Sequence, residues 1–191
     1  MNVWSEVRRH RWVGSGLAVI FVSLGLLLGI CQTGAWGEGE KRAAQPPRPR
    51  LPAMTPERLK EFLAQPLVAR LATVRPDGRP QVVPMWFIYQ DGVVYMSTGV
   101  EAAKVRHIRH NDRVAITIDV MEAPLKNKGV IIDGRAEIQT DGVLDVTRRI
   151  YKKYMGEEGS ATPVAQRSIN RPRVILKITP NRLVSFDTTG G

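Results

Sequence analysis

Apolar positions along this chain fall into three regimes. From Trp12 to Cys31 they run on without a charged residue. Between residues 32 and 53 they are sparse, and glycine, proline and charged residues dominate. From Thr55 onward they alternate, or recur at helical spacing, in short segments bounded by turn residues. The first regime is long enough to span a bilayer as a helix, since about 20 apolar residues suffice. Residues 1–31 therefore read as a signal or membrane anchor, 32–53 as a flexible Pro/Gly-rich linker, and 54–191 as one folded domain.

Within the domain the pattern predicts a helix over 56–64, with Leu59, Phe62 and Leu63 on one face. Thr55 is its N-cap, Pro56 its first helical position and Glu57 an acid in its first turn. Strands are expected over Leu67–Val74, Gln81–Gln90 and Val93–Ser97, separated by Arg75-Pro76-Asp77-Gly78 and Asp91-Gly92 turns. Pro84 marks an edge or a bulge, because it cannot donate to a ladder. A helix follows over Glu101–His110, with Ala102, Val105 and Ile108 on one face. Strands over Arg113–Val120 and Gly129–Ile138 flank a polar loop at Met121–Lys128, and Gly134 marks a bulge. The spacing of Val143, Val146, Ile150 and Tyr154 predicts a helix over Asp141–Met155. Gly156–Arg171 reads mostly as loop, with a helical turn at Val164–Ser168. Arg173–Ile178 and Leu183–Phe186 form a closing strand pair. The expected fold is mostly β with a few helices: a six-stranded antiparallel barrel, with the N-terminal hydrophobic helix outside it.

The start of the chain bears on location. Arg8, Arg9, His10 and Arg11 precede the apolar run, Thr33-Gly34-Ala35 offers a small-x-small cleavage site, and Leu28–Cys31 resembles a lipoprotein box with a bulky Ile30. The positive-inside rule would send the domain across the membrane. Met54, directly before the helix start, is an alternative initiator. The protein is membrane-tethered or exported if residues 1–31 are retained, and cytoplasmic if Met54 begins it.

Charge narrows the partners. The chain carries a formal +10; residues 1–53 hold seven Lys/Arg against three Asp/Glu, which leaves +6 on 54–191. Such a domain suits anionic ligands. Cys31 is the single cysteine, so neither an intrachain disulfide nor a cysteine zinc cluster is possible. No Glu-x-x-His pattern, Gly-x-Ser-x-Gly elbow, Walker loop or Rossmann fingerprint is present. His107 and His110 stand three apart on one helix without a nearby third ligand, and read as exposed or phosphate-proximal; no metal is expected. What remains is Ser97-Thr98-Gly99 followed by a helix bearing Lys104 and Arg106. Hydroxyls at a strand end, a glycine and a helix N-terminus can hold an anion, to which a lysine adds a point charge and an arginine a fork. A capped helix with a solvated basic face is the alternative.

The ordered series LATVRPDGRPQVVPMWF, DGVVYMST, AAKVRHIRHNDRVA and GVIIDGRAEI resembles the pyridoxamine 5′-phosphate oxidase-like split-barrel superfamily, in particular its F420-dependent oxidoreductase branch. The likeness runs from about Thr55 to Asp187. It implies a six-stranded split barrel and a homodimer with cofactor in clefts at the dimer interface. Ser97, Thr98, Lys104 and Arg106 match the family's phosphate-binding stretch. Gln81, Val82, Val83 and Pro84 match the strand beside the isoalloxazine-type ring; Met85 and Trp86 continue it, Trp86 as core packing. Val83 or Pro84 stands where the vitamin oxidases carry an arginine, and Ala103-Lys104 where they carry Arg-Lys. Ala102 stands where some deazaflavin relatives have a basic residue. The implied function is hydride transfer from coenzyme F420, or FMN, to a small conjugated substrate. The cofactor does the chemistry, so no catalytic acid–base pair is required, although Tyr89 or Tyr95 could donate a proton. A non-catalytic flavin- or haem-binding module is the alternative. Nucleic acid is not an expected partner, and a membrane would be met through the N-terminal segment only.

Overall fold

The computed structural model describes residues 51–189. The anchor segment 1–31 and all but the last three linker residues lie outside the described residues. Helices are α1 (Pro56–Ala64), α2 (Ala103–His110), α3 (Val143–Ala161) and α4 (Pro163–Ile169). Strands are β1 (Ala69–Val74), β2 (Pro80–Met85), β3 (Ile88–Gln90), β4 (Val93–Gly99), β5 (Arg113–Ala123), β6 (Lys126–Gln139) and β7 (Arg173–Asp187). Among the described residues no helix is long and apolar enough to cross a membrane.

All seven strands form one antiparallel sheet in the order β2-β1-β5-β6-β7-β4-β3. Its two edges, β2 and β3, are consecutive in the chain and separated only by Trp86 and Phe87. Three peptide steps from Met85 to Ile88 reach at most about 11 Å. A flat seven-stranded sheet would be about 29 Å across its six gaps. The sheet therefore curls until its edges meet, which makes the split barrel.

Four expectations change. The single strand expected over Gln81–Gln90 is broken at Trp86-Phe87, so the strands number seven; counted as one interrupted strand, β2 and β3 restore the six. Met121–Lys128 is not a loop but a hairpin, with Pro124 and Leu125 as its turn and Leu125 at φ 67°. The closing pair is one long strand, because Asn181 is taken up where the β6–β7 register shifts between Asp133 and Gly134. Gly134, expected at a bulge, sits at that shift; a Cβ there would meet the Thr179 carbonyl oxygen at 2.6 Å. Helix α3 also runs on to Ala161 through a break at Gly156, whose φ is 71°, and α4 is capped by the Thr162 hydroxyl accepting from Ala165 N–H.

Alternation builds the core. On β4, Val94, Met96 and Thr98 are buried, whereas Val93, Tyr95 and Ser97 are half-buried. Leu71, Phe87, Ile116, Ile118, Ile132, Leu176 and Ile178 join Val94 and Met96 inside, each at 1% exposure or less. Helix α3 clamps the joint between the sheet edges. The Tyr154 hydroxyl donates to the Leu67 carbonyl at 2.5 Å and accepts from Phe87 N–H at 3.2 Å. Lys153 Nζ donates to the Leu63 carbonyl at 2.8 Å and lies 3.7 Å from the Phe87 ring centroid. Burial pulls the Lys153 ammonium down to about 8, while the carbonyl and the ring face favour the cation.

Burial pushes the Tyr154 phenol up to about 12, against the opposing bond from Phe87 N–H. A phenol held neutral in the fold contributes stability below its ordinary value of 10 and loses it as pH rises through about 12. Tyr154→Phe should cost about 1–3 kcal/mol at neutral pH, because it strands two backbone groups. The stability gap between parent and variant, measured by urea denaturation, should be constant below pH 10 and shrink between 10 and 12.

Candidate functional site

Helix α2 begins after an exposed Gly99 at the end of β4. Its N-cap position is Ala102, which supplies no side-chain hydrogen bond, and no acid stands in its first turn. The first backbone N–H groups are thus left without a side-chain acceptor. Nothing lies within 4 Å of where a Cβ on Gly99 would be, so the space beside this turn is open.

Lys104, in the first turn of α2, reaches back to the end of β4. Its Nζ donates to Thr98 Oγ1 at 3.2 Å. Burial lowers its pKa from the ordinary lysine value, with no carboxylate among the described residues acting the other way. A half-buried ammonium whose partner is a neutral hydroxyl, beside an open helix N-terminus, is an arrangement that can hold an anion.

The predicted residues do not all converge there. Thr98 is 6% exposed and meets Lys104. Ser97 points to the opposite face of β4, as strand alternation requires. Its Oγ bonds Thr147 Oγ1 at 2.7 Å and accepts from Arg173 Nη1 at 3.3 Å. Arg106 is exposed and donates to the Glu101 carbonyl at 3.0 Å, closing the turn before the helix. Gln81 and Val83 are half-buried on β2, while Val82 and Pro84 are exposed. Tyr89 and Tyr95 are half-buried, with Tyr89 packed against the core. Among the described residues no cluster of three His, Cys, Asp or Glu could hold a metal ion.

Two expectations are corrected. His107 is buried rather than exposed: it is 6% exposed and shares a 3.1 Å hydrogen bond with Thr73 Oγ1 of β1, itself 2% exposed. Trp86 is not core: it is 37% exposed, stacked on Tyr154 at 4.7 Å and 7°, with its edge contact to Tyr151 at 5.3 Å. The sequence also hid the set around Arg173, whose guanidinium serves the Ser168 carbonyl and the hydroxyls of Ser97, Tyr151 and Ser168. Ser168 ends the helical turn expected at Val164–Ser168, which the structure shows as α4.

The folded pKa of Lys104 lies below 10.5, so the unfolded chain holds that proton longer. Its contribution to stability therefore rises as pH climbs toward 10.5. Lys104→Met should abolish that rise and leave the ligand-free chain as stable as the parent or more so. The gain should be no more than about 1 kcal/mol, since a half-exposed ammonium is well screened. Inorganic phosphate should raise the melting temperature of the parent more than that of the variant.

A family model described as pyridoxamine 5′-phosphate oxidase matches residues 55–186. Among solved structures, a conserved hypothetical protein of Mycobacterium tuberculosis is 26% identical with a TM-score of 0.62, over 71% of this chain and 86% of that one. A protein described as an F420 reductase is 29% identical with a TM-score of 0.54, over 65% of this chain and 94% of that one. The haem storage protein HutZ of Vibrio cholerae, 21% identical with a TM-score of 0.55 over 70% of this chain and 97% of that one, shares the fold. No curated protein matches the chain.

Proposed function

Because the chain belongs to the pyridoxamine 5′-phosphate oxidase family, we propose that it is an oxidoreductase using coenzyme F420, or secondarily FMN, to reduce a small conjugated substrate. The observation that carries this proposal is Lys104: a half-buried cation bonded to Thr98, with no carboxylate among the described residues acting on it, at the uncapped start of α2. Those groups fit the phosphate of either cofactor. When bound, the cofactor supplies the two-electron chemistry. Lys104, Thr98 and the first N–H groups of α2 fix its phosphate end, and β2 offers Gln81, Val82, Val83 and Pro84 along an edge where a ring could lie. Arg106 guards the same turn from outside, and Ser97 holds β4 to α3 and β7 behind it.

Val83, Pro84 and Ala103 stand where the vitamin oxidases carry cations, which favours a deazaflavin reductase over the oxidase. The 29% identity to a protein described as an F420 reductase supports the same preference.

The proposal includes a homodimer with cofactor at the interface. The outer sheet face supports it: Ile131 of β6 pairs with Val184 of β7, at 43% and 39% exposure. Beside them Asn127 Oδ1 is buried with no hydrogen-bond partner among the described residues. The same face carries Met121 at 71% exposure. Ile131→Asp should give a monomer by sedimentation and lose cofactor affinity with it.

Titration of the purified chain with F420 and with FMN tests the cofactor. Binding of F420 in the micromolar range is expected, and Lys104→Ala should weaken it by about 1.5–3 kcal/mol, the scale of a hydrogen bond to a charged group. Absence of binding by either cofactor overturns the proposal; tight binding without turnover of any conjugated acceptor turns it into a storage or sensing module.

A further inference from the structure

The β5–β6 hairpin ends in a turn that is costly in water. Its central residues are Pro124 and Leu125, between the paired Ala123 and Lys126. Proline followed by a residue at positive φ is the type II pattern, whose second central position normally takes glycine or asparagine. Leu125 stands there at φ 67°. It is also 88% exposed, and Pro124 beside it is exposed as well. A leucine in this place is unfavourable in both conformation and hydration. Lys126 follows, exposed and without a carboxylate partner among the described residues, whereas Lys128 pairs with Glu122.

The tip is tied to the point where the chain enters the fold. Thr188, just past β7, donates from Oγ1 to the Leu125 carbonyl at 2.9 Å and from its N–H to the Asn127 carbonyl at 2.8 Å. Its neighbour Asp187 gives its N–H to the Pro52 carbonyl at 2.8 Å. Two hydrogen-bonded spacings and one residue step put Pro52 within about 15 Å of Leu125. Leu51, Pro52 and Ala53 are exposed too, Leu51 at 57%. Apolar side chains therefore gather at this one end, around an exposed lysine.

Residues 32–50 separate Leu51 from the uncharged run Trp12–Cys31. A chain of about 20 residues spans roughly 25 Å as a flexible coil and at most about 70 Å extended. A bilayer holding residues 12–31 is thus tethered to the hairpin end of the domain, and a tether that short makes a weak contact sufficient. Arg48 and Arg50 add positive charge just before Leu51, which suits an anionic surface.

We propose that the β5–β6 hairpin tip is an interfacial membrane contact. Pro124 and Leu125 enter the headgroup–acyl boundary of an anionic bilayer, and Lys126 meets its phosphates. So small an apolar area gives a reversible contact by itself, and the tether makes it persistent. The contact rests on residues 12–31 lying in the bilayer, not on which cofactor the chain binds.

The test uses the full chain reconstituted in vesicles of phosphatidylcholine and phosphatidylglycerol. Cys31→Ser removes the single native thiol, and either Leu125→Cys or Asp141→Cys then carries the dye NBD. Asp141 is exposed, past the far end of β6. The dye on the Leu125→Cys chain should brighten, shift to the blue and be quenched by doxyl-labelled lipid, and the dye on the Asp141→Cys chain should not. In the unlabelled chain, hydrogen exchange of residues 121–128 should slow on these vesicles. Leu125→Asn suits the turn and so folds, and it should lower the docked-to-free ratio of the tip about tenfold, the scale of burying one leucine. Lys126→Gln should lower that ratio about fivefold, the scale of one lysine at a charged surface, and not at all on pure phosphatidylcholine. A chain that does not stay on the vesicles overturns anchor and contact together. A chain that stays while the dye on Leu125→Cys remains unquenched overturns the contact alone, as does equal quenching at both positions. Shielding that doxyl lipid does not quench, and that grows with protein density, assigns the tip to a second copy of the chain and overturns the proposal too.

Discussion

The two-residue joint between β2 and β3 governs this structure. Because both sheet edges belong to one uninterrupted stretch, Met85 and Ile88 can part by no more than about 11 Å. The sheet cannot remain open, and closure here is covalent at the split rather than hydrogen-bonded. What closure leaves behind are backbone groups at the break that no ladder can satisfy. Helix α3 answers them with Tyr154, whose one hydroxyl serves both Phe87 N–H and the Leu67 carbonyl. Lys153 takes the Leu63 carbonyl and covers the buried Phe87 ring. Thus α3 does more than shield apolar surface; it supplies the hydrogen bonds that the interrupted strand lacks.

Lys153 and Lys104 show how a compensated buried charge differs from an uncompensated one. Lys153 has a carbonyl and a ring face, so its burial is compensated within the chain. Lys104 has one hydroxyl, and burial alone shifts its pKa. A charge that the fold half-buries without a counter-charge lowers stability unless something else brings the negative charge. The same logic separates Ser97 from Thr98. They adjoin in sequence, yet alternation sends Ser97 into the Thr147–Arg173 network behind the strand and Thr98 toward Lys104.

That separation also shows what the sequence could and could not convey. Alternation on β4 and the start of α2 were legible, so Thr98 and Lys104 could be paired in advance; applied strictly, the same alternation would have excluded Ser97. The break at Trp86-Phe87 was not legible, because QVVPMWFIYQ is continuously apolar apart from its ends and closure is a property of the whole sheet. Pro124 and Leu125 looked like loop because a proline amid polar residues usually is one, and only the β5–β6 pairing makes them a tight turn. His107 stands on α2 next to the exposed Arg106, in a segment where basic residues dominate. Its burial depends on Thr73, thirty-four residues away, a partner that no local pattern reveals.

The outward face of β2 joins these strands of the argument. An edge that must curl round to meet its opposite number cannot be buried along its whole length, and charged side chains or prolines keep such an edge from pairing. Here Pro80 and Pro84 remove donors without adding charge, so the edge resists a pairing strand while staying apolar. The indole of Trp86 is pinned at the end of this edge by the same tyrosine that secures the joint. Closure of the barrel and the shape of the open edge therefore depend on one side chain, Tyr154: the bond that holds the split together also fixes the plane that the split presents.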